Sequence, residues 1–104
     1  MERIEHVASL RVWRSSEMPN GMGYVVIDGP AADAIRVAAM MGQWLEGRRG
    51  FGSAKVQVTV GETVWKTSVF PHKESGGWFL PIKAAVRKAE DLAEDDPVHV
   101  AVEL

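Results

Sequence analysis

The sequence predicts a mainly-β single domain, a small pseudo-symmetric barrel of about six strands with two short helices capping it. Three observations carry that prediction. Runs of alternating apolar and polar residues recur at 4–13, 54–60, 63–70 and 98–104, with turn residues between them. Two of the intervening stretches place a proline just before apolar residues at helical spacing. A string also occurs twice, VWRSSEMP at 12–19 and VWKTSVFP at 64–71, 52 positions on.

In the first run Ile4, His6, Ala8, Leu10 and Val12 share one face, while Val7 and Trp13 fall on the other. Both faces are therefore partly covered, as in a closed barrel. A loop at 15–21 leads to a short, nearly all-apolar strand at 24–28. Asp28-Gly29-Pro30 then opens a helix, since a proline at the first helical position misses no hydrogen bond. Asp33 sits near its positive end. Ala31, Ala34, Ile35, Ala38, Met41 and Leu45 make one apolar stripe, with the methionines as core filler and Gly42 or Gly47 ending the helix.

Ala54, Val56, Val58 and Val60 point inward, against Lys55, Gln57 and Thr59 outward. Gly61-Glu62 has the pattern of a two-residue type II′ turn. The partner strand runs over 63–70, an exposed loop over 71–77 and a short buried strand over 78–80. Pro81 starts the second helix, with Ile82, Ala85, Val86 and Ala89 inward and Lys83, Arg87 and Lys88 outward. After a turn at 94–97 the last strand puts Val98, Val100, Val102 and Leu104 on one face.

Each copy of the repeated string leads through a Gly-containing loop to a short apolar strand, a proline, a helix and a valine strand. Ala34-Ile35-Arg36 likewise matches Ala85-Val86-Arg87. Two such units would each leave strand edges that only the other can pair.

At 104 residues the chain fits one domain with a sizeable core. With no cysteine it has no disulfide, thiolate nucleophile or cysteine-bound zinc. No apolar run nears the roughly 20 residues of a membrane helix and no signal-peptide core follows Met1, so the cytoplasm is the expected location. The net charge of −2 gives no global attraction to nucleic acid or membrane, but its distribution is uneven. Residues 47–89 hold eight of the 12 Lys and Arg against two Glu, a local +6 beside −8 elsewhere. Arg48, Arg49, Lys66, Lys83 and Arg87 are accordingly the candidate anion ligands, and Trp78 and Trp44, near turns, the candidate groove walls.

On the strand at 63–70 Trp65 and Thr67 share one face, Lys66 and Ser68 the other. The tryptophan belongs inside; the reverse arrangement would put Lys66 near Lys83 at a barrel mouth. Arg49-Gly50-Phe51-Gly52 matches the start of an RNA-recognition octamer but continues as Ser53-Ala54-Lys55-Val56 and precedes the hairpin, which disfavours it. Gly47-Arg48-Arg49-Gly50 fits a GxxG clamp but joins a helix to a strand, so it reads as a helix-ending turn or as an anion clamp. His6, His72 and His99 lack zinc spacing, and His72 with Glu74 is a weak metal or dyad signal. No nucleophile elbow or Ser-Lys pair at helical spacing occurs. Binding is favoured over catalysis, and no cofactor or metal is expected.

Phe51-Gly52-Ser53, Val56 to Val60, Trp65-Lys66-Thr67-Ser68-Val69-Phe70-Pro71, Leu80-Pro81-Ile82-Lys83 and Val86-Arg87-Lys88-Ala89 together resemble a bacterial and archaeal family of unknown function. The resemblance implies a double-split β-barrel and no established activity. The tail is also similar to the swapped-hairpin barrels of AbrB-like regulators, although Asp95-Asp96-Pro97 stands where those carry Gly-Asp. The expected function is a non-catalytic binding module for an anionic small molecule or a protein partner. The alternatives are nucleic-acid binding by the AbrB-like analogy, which the charge disfavours, and an enzyme with a dispersed site. Split barrels can bury their edges in a homodimer, an oligomeric state the sequence leaves open.

Overall fold

The computed structural model describes residues 3–46 and 52–104 of the chain. Along them run β1 (Arg3–Ser9), β2 (Arg11–Trp13), β3 (Met22–Ile27), α1 (Gly29–Glu46), β4 (Ala54–Val60), β5 (Thr63–His72), β6 (Gly77–Ile82), α2 (Ala84–Ala89) and β7 (Pro97–Glu103). The strands form one seven-stranded sheet, order β1-β7-β4-β5-β6-β3-β2, antiparallel throughout and curled into a half-barrel. No helix among the described residues is long and apolar enough to cross a membrane.

Seven strands stand where six were expected because Leu10 breaks the first run. Its N–H donates to the Asp96 carbonyl (2.8 Å) and its carbonyl accepts from the Asp95 N–H (2.8 Å). With both backbone groups taken by that turn, Leu10 cannot continue the ladder. Residues before it pair with β7 and residues after it with β3. Its side chain is fully buried.

The predicted hairpin forms as read. Val60 faces Thr63 across a two-residue turn, with positive φ at Gly61 (59°) and not at Glu62, the type II′ signature. Thr63 Oγ1 donates to Glu90 Oε2 at 2.6 Å, tying the turn to the end of α2. Inward valines of β4 and β7 meet Val25, Ile27, Leu80 and Ile82 in the core, with Ile35 and Val86 from the helices. Each such side chain contributes about 1.5–3 kcal/mol relative to exposure. No polar or charged residue among those described is buried.

Several expectations need correction. Pro81 does not start a helix; it pairs with Tyr24 inside β6, and α2 begins at Ala84. The β5–β6 ladder has already ended at Phe79, so a proline at Pro81 removes no bond on that side. Val86 is the only buried residue of α2, and Ala85 and Ala89 are exposed. Pro71 and His72 belong to β5, which trades β4 for β6 as partner at Phe70. α1 runs through Gly42, and its apolar contact comes from Ala32 and Ile35 with Ala31 and Ala34. Val37, Met40 and Met41 are exposed, so Met41 is no core filler. The side chain of Leu45 lies outside the described residues.

The strand pairings repeat, but in a different register from the repeated string. β3 pairs with β6 and β4 with β7; β1 meets β7 as β5 meets β4, and β2 meets β3 as the end of β5 meets β6. The partner switch falls at Leu10 in one half and just after Val69 in the other, 59 positions apart, and both side chains are fully buried. The string instead matches Trp13, beyond the switch, with Trp65, before it. Trp13 is accordingly exposed, whereas Trp65 packs on the core.

A candidate anion groove on the outer sheet face

Alternation along β4, β5 and β7 fixes what faces solvent. With Val56, Val58, Trp65, Val100 and Val102 turned to the core, Lys55, Gln57, Lys66, Ser68 and Glu103 stand on the outer side. The tryptophan of β5 is inside and its Lys-Ser pair outside, as expected. The two-residue turn then sets cross-strand neighbours: Lys55 faces Ser68, and Gln57 faces Lys66 on one side and Glu103 on the other. Lys55 and Lys66 are diagonal neighbours, about 7–8 Å apart by sheet geometry.

These residues, with Val56, Thr67 and Leu104, line a groove of about 490 Å³. Its one carboxylate side chain is engaged elsewhere: Glu103 Oε1 takes Arg3 Nη1 at 3.4 Å, and Arg3 also lies 3.9 Å from Glu5. Neither lysine has a carboxylate within 4 Å among the described residues. The groove therefore offers two ammonium groups, a hydroxyl and an amide, with the lysine stems adding apolar wall. A second hollow of about 390 Å³ lies across β1 and β7 and includes Glu5, His6, Thr59 and His99. His6 Nε2 stands 3.7 Å from Asp28 Oδ1, and His72 Nδ1 and Ser75 Oγ are hydrogen-bonded at 2.8 Å. No three metal-ligating side chains converge among the described residues.

Of the residues singled out from the sequence, Lys66 lines the groove. Lys83 precedes α2 and lines neither hollow. Arg87 packs its side chain against Gly23, and its Nε is buried without a hydrogen-bond partner among the described residues. Trp78 is buried at 6% exposure and donates Nε1–H to the Ala32 carbonyl at 3.0 Å, so it joins α1 to the sheet. Arg48, Arg49, both glycine motifs around them and the side chain of Trp44 lie outside the described residues. Sequence reasoning turned Lys55 and Ser68 outward without singling them out as ligands, although the hairpin register alone sets Lys55 beside Ser68 and diagonal to Lys66.

No curated protein matches this chain. Residues 8–102 match the family model described as Domain of unknown function (DUF1905), and the chain belongs to that family.

Proposed function

We propose that this protein is a non-catalytic binding module whose ligand is a small anion, a carboxylate or phosphate, held between Lys55 and Lys66. The observation that carries the reading is the pair of lysines sharing one groove while the nearby carboxylate of Glu103 is taken by Arg3. Two like charges on neighbouring strands repel, and a bound anion converts that cost into charge-assisted hydrogen bonds. Ser68 Oγ and the Gln57 amide stand beside them as further donors. Nucleic acid is the less favoured ligand, since two lysines neutralise about two phosphates and little affinity follows. On the same reading the scaffold is a six-stave double-split barrel, β1 and β2 being one stave broken at Leu10.

The test is a thermal-shift titration with inorganic phosphate, citrate and short-chain carboxylates. Saturation near 100 times the dissociation constant stabilises by about 2.7 kcal/mol, a rise of roughly 10 °C or more. The rise should shrink in Lys66→Ala and vanish in the Lys55→Ala/Lys66→Ala double variant. An equal rise in the double variant would refute the site.

A further inference from the structure

The other half of the sheet turns a different surface outward. On β2, β3, β6 and the end of β5 the outward rows are aromatic: Phe70 faces Phe79, and Trp13 faces Met22. Tyr24 stands between them, stacked on Phe79 with ring centroids 4.6 Å apart. Phe70, Phe79, Tyr24 and Trp13 thus make a track over four adjacent strands, straight across from Phe70 to Phe79 and diagonal from there to Tyr24 and Trp13. Trp13 is 52% exposed, Phe70 44% and Met22 37%. The paired rows of this face contain Arg11 and His72, the latter bonded to Ser75, and no Lys, Asp or Glu.

We infer that this face binds a proline-rich segment in the polyproline II conformation. Two complementarities select that occupant. The first is spacing: Trp13 is a diagonal neighbour of Tyr24, whose ring is stacked on Phe79, and such neighbours lie about 7–8 Å apart, close to the roughly 9 Å turn of a polyproline helix. The second is hydrogen bonding. Trp13 Nε1–H, the Tyr24 hydroxyl and the Arg11 guanidinium find no partner among the described residues, and no carboxylate shares the face. It is rich in donors and poor in acceptors, while a proline segment offers bare carbonyls and lacks N–H groups. Bases could stack on the same rings, but a strand with one phosphate per base would find a single arginine.

A blocked decaproline peptide, followed through the tryptophan indole N–H signals by NMR, tests this. The Trp13 signal, assigned with Trp13→Phe, should shift on titration. Trp13→Ala and, independently, Phe70→Ala should weaken binding about tenfold or more. Lys66→Ala should leave it unchanged, which separates this face from the anion groove. No movement of the Trp13 indole with decaproline would overturn the inference. So would a shift produced only by oligouridylate, or only by raising the concentration of the protein itself.

Discussion

Replacing Gly77 with alanine tests the closeness of β3 and β6. Gly77 opens β6, is buried, faces His72, and does not have positive φ. On backbone grounds alone alanine would therefore be accepted, and stiffening the unfolded chain would stabilise by about 0.4–1 kcal/mol. Space decides otherwise. A Cβ there would press into the Ile27 carbonyl oxygen, 3.0 Å from its carbon and 3.1 Å from Asp28 Cα. All three are backbone atoms, and Ile27 is held opposite Trp78 in the ladder, both side chains buried. Relief requires sliding β3 against β6, so the cost belongs at the upper end of overpacking, about 3 kcal/mol. The adjacent Gly76 has the opposite problem, with φ at 73° and nothing within 4 Å of an added Cβ. Alanine there costs about 1 kcal/mol for the left-handed backbone alone. Thermal unfolding followed by tryptophan fluorescence should give that order, with melting points lower by roughly 12–24 °C for Gly77→Ala and 4–8 °C for Gly76→Ala. A Gly77→Ala protein as stable as the parent, or more stable than Gly76→Ala, would refute the reasoning.

Two further outcomes are expected. Trp78→Phe removes the indole N–H that bonds the Ala32 carbonyl in addition to that carbonyl's own helix bond, and should cost about 0.5–1.5 kcal/mol in a calorimetric melt; an unchanged melting point would mean α1 is not anchored there. Asp91 follows α2 at φ 53°, while Leu92 N–H bonds Arg87 O (2.8 Å) and Asp91 N–H bonds Lys88 O (3.3 Å), the Schellman arrangement. Asp91→Gly relieves the left-handed strain and should stabilise by about 0.5–1 kcal/mol, whereas destabilisation would show that the carboxylate has a role the backbone geometry does not explain.

What the sequence made legible was local. The hairpin from Ala54 to Phe70 could be read because a two-residue turn fixes register, and register fixes which face each valine takes. Half of the groove follows from the same fact, Lys55 and Ser68 included. Glu103 and Arg3 do not follow, because β7 reaches β4 and β1 only through pairings distant along the chain. The break at Leu10 is equally hidden, since its cause is a turn more than 80 residues away. Pro81 misled because proline is tolerated at a helix start and beside an ended ladder for the same reason, a missing N–H that nothing requires. The repeated string misled differently: Val-Trp is favourable in any strand, so it recurs on either side of the partner switch without marking equivalent positions.

The repetition of pairings sets where the two halves had to agree and where they could differ. Both inner faces fill one core, which demands valine, leucine and isoleucine from each. The outer faces carry no such demand. One therefore holds the polar row Arg3, Glu103, Gln57, Lys66, and the other the apolar row Phe70, Phe79, Val26. β5 alone serves both, because its change of partner at Phe70 carries its outer side from one half to the other. Lys66 and Phe70 stand on that side four residues apart, about 13–14 Å along the strand. That separation exceeds the roughly 7–10 Å over which substitutions usually couple, so Lys66→Ala should weaken anion binding alone and Phe70→Ala proline binding alone.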